Sequence, residues 1–195
     1  MEIHKEKAVI RKAVENDRHS IATCIAEGFE RDFSFFRKDM GTVAKALEPG
    51  IRPERFYVAV SDNAIIGVAG ISDCTGRAVY TNGPSYRKHF GLVMGTIAVL
   101  VLKKEFEQPL TYPRTTGFIE FVAVRKQFRN QGVASFLLKE SIKQAGYEDY
   151  ILDVIEENLP AVSCYTKLGF QGFKRTKKKN GYTKLFMKLK KQNIQ

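Results

Sequence analysis

The chain has 195 residues, 44% of them hydrophobic, and a formal net charge of +11. That length fills one domain with a full core and falls short of two typical ones, so a single domain over residues 1–195 is predicted. The charge does not mark a whole-surface nucleic-acid binder, because residues 158–195 hold ten Lys or Arg and no Asp or Glu, leaving 22 basic and 21 acidic side chains before them.

The basic end reads as a solvated hairpin, with a phosphate-bearing cofactor, an acidic substrate or nucleic acid as the other ligands such a surface attracts. No cationic stretch followed by an apolar run opens the sequence, which predicts a cytoplasmic protein without a secretory leader. Cys24, Cys74 and Cys164 are odd in number and widely spaced, as expected of reduced core residues rather than a disulfide framework or a CxxC site.

Residues 8–13 read as a first strand, and Asn16 or Asp17 offers an N-cap to a helix whose apolar face is Ile21, Cys24, Ile25 and Phe29. A second helix is expected at residues 40–47, closed by Pro49 and Gly50. Residues 56–60 and 65–71, separated by a short polar turn, predict an antiparallel hairpin. Residues 90–102 carry no charge and are too short for a membrane span, which needs ~20 apolar residues. They predict a helix buried on the substrate side or against a second copy of the chain, within a larger insert at residues 75–116. Gly91 and Gly95 form a GxxxG there, a weak signal at this length.

Residues 117–124 are the best strand in the chain, and they run directly into residues 125–132, where Arg129-Asn130-Gln131-Gly132-Val133-Ala134 leads into a helix that Gly146 stops. A strand-to-helix junction of this kind binds anions. The first N–H groups of a helix lack intrahelical partners and lie at the positive end of its dipole. Gly132 lets a phosphate approach, small Ala134 extends the clearance, and Arg129 and Lys126 supply charge at the rim. A strand at residues 149–154 follows, then a helix capped by Asn158 with Pro160 in its first turn and Gly169 at its end. The tail reads as a hairpin turning at Asn180-Gly181, with Leu185, Met187 and Leu189 on one face.

The RxxGxA spacing of Arg129, Gly132 and Ala134 resembles the acetyl-coenzyme A pyrophosphate loop of the GNAT acetyltransferase superfamily. About thirty residues on, Asn158, Ala161, Tyr165, Lys167, Gly169 and Phe170 match that family's second hallmark. The resemblance is close from residue 117 to about residue 189 and extends to the earlier part only in the order of elements. It implies an α/β fold (α+β by some schemes): a mixed, mostly antiparallel central sheet with flanking helices, splayed at a β-bulge beside the cofactor. It also implies an N-acetyltransferase using acetyl-coenzyme A as cosubstrate, without a metal, and a small-molecule or peptide amine as acceptor. No nucleic acid and no membrane span are expected, and a homodimer is left open.

By the same resemblance, Val122, Ala123 and Val124 line the pantetheine, residues 129–134 and Asn158 belong to the cofactor site, and Tyr165 points its hydroxyl at the coenzyme A sulfur as general acid. Glu120 is the candidate general base, with a structural hydrogen bond or a counter-ion for the substrate amine as its other readings. His4, His19 and His89 show no metal spacing. The rival functions are a non-catalytic acyl-coenzyme A sensor, a nucleic-acid module using the lysine-rich tail, and peripheral membrane attachment through residues 90–102.

Overall fold

The computed structural model describes residues 8–177 and 181–190. One seven-stranded sheet runs through it: β1 (Val9–Lys12), β2 (Phe56–Ser61), β3 (Ala64–Ser72), β4 (Thr116–Val124), β5 (Asp149–Ile155), β6 (Gln171–Lys177) and β7 (Thr183–Lys190), in the spatial order β1-β2-β3-β4-β5-β7-β6. Every neighbouring pair is antiparallel except β4 and β5, which are parallel. This is the mixed, mostly antiparallel sheet that the sequence implied. The β2–β3 hairpin turns at Asp62 and Asn63, whose φ angles of 49° and 60° are the left-handed pair a type I′ turn requires. Asn180 of the expected tail turn lies outside the described residues, as do His4, Lys178, Lys179 and Lys191.

Strand alternation divides the buried side chains between two faces. On one face, α1 (Arg18–Gly28), α3 (Met40–Leu47), α4 (Gly83–Phe90) and α5 (Leu92–Phe106) close over Phe56, Val58, Val68 and Ala123 with Ile21, Ile25, Leu47, Tyr86 and Leu102. On the other, α6 (Val133–Ala145) sets Leu137, Leu138 and Ile142 against Tyr57, Ile119, Tyr150 and Leu152, and α7 (Leu159–Lys167) leans on the same cluster. Burying one such Leu or Ile contributes about 1.5–3 kcal/mol. A short α2 (Glu30–Phe33) follows α1.

Three sequence expectations need correction. Asp17 does precede α1, but its carboxylate accepts from the Val14 amide (2.8 Å) and from Arg11 rather than from the helix. Arg11 lies across the incoming turn and is a stronger partner than an amide. Cys74 is exposed, whereas Cys24 is buried. The apolar run is not one buried helix. Gly91, at φ 87°, ends α4 and starts α5, and Gly95 seats α5 on the backbone of α4, where a Cβ would lie 2.5 Å from the Arg87 Cα. The glycine pair therefore serves a contact within the chain. Only the inner face of α5 is buried, through Gly95, Ala98, Leu102 and Phe106. Among the described residues no helix is long and apolar enough to cross a membrane.

Candidate cofactor and catalytic site

The two parallel strands pair from Thr116 with Asp149 to Ile119 with Leu152 and no further. Beyond that point β4 is bent by a bulge: Gly70 of β3 faces Glu120, but Val68 faces Ala123, so Phe121 and Val122 together oppose Ala69. Phe121 takes a φ of 53°, a strained conformation for a bulky residue. The Phe29 and Phe106 rings meet the Phe121 ring edge-on at 6.1 and 5.1 Å and hold it there. Past the bulge the Arg125 amide donates to the Ile66 carbonyl (2.9 Å). By alternation, Val122 and Val124 turn their N–H and C=O groups the other way, into the space that β5 has left.

The chain then enters α6 through two left-handed residues, Asn130 (φ 61°) and Gly132 (φ 77°). Among the described residues the amides of Gly132, Val133, Ala134 and Ser135 have no protein acceptor, and the first amide to bond is that of Phe136, to the Gly132 carbonyl (3.0 Å). A run of unpaired amides in such a turn, at the positive end of a helix dipole, is an anion cradle. It fits the pyrophosphate of a coenzyme A. Gln131 donates through Nε2 to the Gln127 carbonyl (2.9 Å), while its buried Oε1 has no partner. Arg129 is less free than its sequence position suggested. Its Nε donates to the Val124 carbonyl (3.0 Å) and its Nη2 to the Glu27 carbonyl (3.2 Å), so it ties the end of β4 to α1. Lys126 is the exposed cation nearby in sequence.

Asn158 caps α7 through its side chain, which accepts from the Ala161 amide at 3.4 Å. One turn further, Tyr165 sets its ring edge-on to Phe170 at 6.1 Å. Its hydroxyl makes no hydrogen bond among the described residues, and burial, reinforced by Cys164 and Asp153, pushes its pKa upward. The neighbouring Cys164 thiol meets the Ser135 hydroxyl at 3.2 Å, which fastens this turn of α7 to the first turn of α6. The two motifs read from the sequence are thus adjacent in space.

Glu120 stands immediately before the bulge with its side chain 7% exposed. One carboxylate oxygen accepts from Arg77 Nε (3.0 Å) and Nη2; the other accepts from the Ser72 hydroxyl and the Ala78 amide (2.9 Å). Arg77 also donates to the Gln108 carbonyl (3.0 Å) and lies over the Phe118 ring. Glu120 therefore pins the loop after β3, and the segment after α5, to the sheet. Sequence reasoning missed Arg77, because nothing local marks an arginine 43 residues away as the partner of a strand carboxylate. Lys184 of β7 was read only as part of the basic tail. It pairs with Asp153 (2.8 Å) and Glu105 (2.9 Å) across the mouth of the same region.

A splayed parallel pair ending in a run of unpaired amides leaves a strand edge and a helix N-terminus open side by side. A model of the acetyltransferase (GNAT) family matches residues 21–170, and the chain belongs to that family. It is 30% identical over 82 residues to N-alpha-acetyltransferase 30 of Schizosaccharomyces pombe, a match covering 40% of this chain and 53% of that protein. The chain thus spans about half the length of the curated relatives it matches. Two solved structures share the fold at low identity. Ribosomal-protein-alanine N-acetyltransferase from Brucella melitensis is 18% identical with a TM-score of 0.59, covering 93% of this chain and 99% of that one. The yncA protein of Salmonella typhimurium, solved with its cofactor acetyl-CoA, is 14% identical with a TM-score of 0.55, covering 94% of each.

Proposed function

We propose that this chain is a single-domain N-acetyltransferase that moves an acetyl group from acetyl-coenzyme A to a primary amine by direct transfer. The observation that carries the reading is the run of unpaired amides from Gly132 to Ser135, opening beside the edge of β4 that β5 leaves free. The amides and Lys126 hold the pyrophosphate, and the N–H and C=O of Val122 with the N–H of Val124, whose carbonyl is taken by Arg129, hold the pantetheine as an added strand, with Ala123 between them turned into the core. Acetyl-coenzyme A supplies the activated acyl group as a thioester.

The protein's part is to position and to move protons. A free amide of β4 polarises the thioester carbonyl while the neutral amine attacks its carbon. The carbon–sulfur bond breaks, Tyr165 delivers its hydroxyl proton to the leaving sulfur, and the nitrogen, positively charged after attack, gives up its proton to solvent water, from which the phenolate is reprotonated. A raised pKa keeps that hydroxyl protonated until it is used. The four donors around Glu120 favour the structural role over those of general base and substrate counter-ion. Asn158 contributes by setting the start of α7 and hence the height of Tyr165. A peptide α-amine is the first acceptor to try, since relatives are named for N-alpha and ribosomal-protein-alanine acetylation.

Calorimetry with acetyl-coenzyme A, followed by thiol release with peptides and small amines, tests the proposal. Gly132→Glu, which puts a carboxylate into the cradle, is expected to abolish binding in a folded protein. Unchanged affinity in that variant would remove the loop as the pyrophosphate site.

A further inference from the structure

The outer face of α5 is apolar and uncovered. Leu92, Val93 and Leu100 are 76%, 77% and 70% exposed, and Ile97 and Val101 continue the same face, which is half of the helix circumference. Its last turn carries Lys103 and Lys104. Between Asp73 and Glu105 the chain has no carboxylate, while Arg87, Lys88, Lys103 and Lys104 lie on α4 and α5. Among the described residues none of these four cations takes part in an ion pair.

From this charge pattern we infer that α5 docks on an anionic lipid bilayer, lying in the plane of the interface. A helix with an apolar face and a cationic end suits that position: the aliphatic side chains enter the acyl boundary, and the long lysine stems reach the lipid phosphates. The same charges disfavour a second copy of the chain as the occupant. In an antiparallel pair of α5 helices, Lys103 and Lys104 would lie over the partner's helix N-terminus, the positive end of its dipole. In a parallel pair they would face their own counterparts. The carboxylate of the last turn, Glu105, is already paired with Lys184 of β7, so neither arrangement offers these lysines a free counter-charge.

The chain contains no tryptophan, so Leu100→Trp introduces a unique reporter at the centre of the face. With vesicles of phosphatidylcholine and phosphatidylglycerol its emission is expected to shift to the blue, and with phosphatidylcholine alone to stay put. Co-sedimentation of the wild-type chain with the mixed vesicles should fall at least tenfold in the charge-neutral variant Val93→Gln/Leu100→Gln, whose melting temperature should be unchanged. Unshifted emission would overturn the proposal, and so would vesicle binding that survives the double substitution, which would assign the attachment to the lysine-rich tail. Light scattering that shows a dimer dissolved by Val93→Gln/Leu100→Gln, with no vesicle binding by the wild type, would assign the face to a second copy instead.

Discussion

The Cys164 thiol and the Ser135 hydroxyl meet at 3.2 Å, and through them the helix that opens on the cofactor cradle is joined to the helix that carries Tyr165. The three free thiols stand in different surroundings: Cys74 exposed, Cys164 half-buried at this contact, and Cys24 fully buried with its pKa pushed up to about 11, chiefly by burial. A disulfide reagent is therefore expected to modify Cys74 fast, Cys164 slowly, and Cys24 only on unfolding, since the thiolate is the reactive form. Saturating acetyl-coenzyme A should slow Cys164 and leave Cys74 untouched. Peptide mapping of the labelled protein reads the order, and protection of Cys74 instead of Cys164 would place the ligand elsewhere.

Glu120→Ala should be among the most destabilising single changes in the sheet. It strips the Ser72 hydroxyl and two Arg77 nitrogens of their acceptor, though the Ala78 amide keeps its bond to Ser72 Oγ (2.7 Å), and leaves Arg77, with a side chain only 15% exposed, without its counter-charge. Breaking a buried pair from one side typically costs about 3–5 kcal/mol. The urea midpoint should fall accordingly, and Arg77→Met in the same chain should recover part of the loss. Glu120→Gln separates the roles. A residue acting as base would lose its limb of the pH–rate profile, whereas a structural residue would lose stability and keep the profile.

Local signals made most of this site readable. The helix at residues 40–47 forms with those limits because Asp39 caps it and Pro49 prevents its continuation. The β4–loop–α6 passage and the Asn158 cap likewise depend on neighbours in sequence, and they appear where expected. What escaped was set by distant partners. Nothing near Glu120 points to Arg77, nothing near Arg129 shows that its guanidinium reaches back to Glu27, and nothing near Asp17 shows that Arg11 will outcompete the helix amides. Of the two places expected for the apolar run, burial within the chain fails for the outer face of α5, and for a different reason. Hydrophobicity predicts burial only on average, and here half of the helix has no neighbour within the chain.

At alkaline pH the weak point is the Tyr147–Tyr150 pair. Tyr147 donates to Asp73 (2.8 Å), and Tyr150 donates to the Ile142 carbonyl (2.8 Å) while accepting from the Tyr147 amide (3.2 Å). Burial first, then the hydrogen bond to Asp73 and its charge, pushes Tyr147 up to about 12, and burial does the same for Tyr150. The unfolded value is about 10. A raised pKa means that the folded state holds the proton more tightly, so this stability is complete below about pH 10 and is lost as the pH climbs through about 12. The melting temperature should decline across that window, and Tyr147→Phe should make the decline shallower. A phenolate absorbance step near pH 10 in the folded protein that disappears in Tyr147→Phe would contradict the assignment.

Tyr165→Phe should lower the rate of acetyl transfer while leaving the affinity for acetyl-coenzyme A nearly unchanged. The hydroxyl makes no hydrogen bond among the described residues, so its removal leaves no protein group unsatisfied, and the ring keeps its edge-on contact with Phe170. Folding and ground-state binding therefore have little to lose. The leaving sulfur loses a proton donor that matters only as charge develops on it, so the loss should fall on kcat rather than on binding. General acid assistance is typically worth about 10²–10⁴-fold, and a thiolate, being a good leaving group, belongs at the low end. Because burial raises the hydroxyl's pKa, the wild-type rate should hold to a higher pH than a free tyrosine would allow before the acid is deprotonated. Steady-state kinetics across pH, with whichever amine proves active, measures both effects. An unchanged kcat at a pH where chemistry limits turnover would leave Tyr165 as a packing residue of α7.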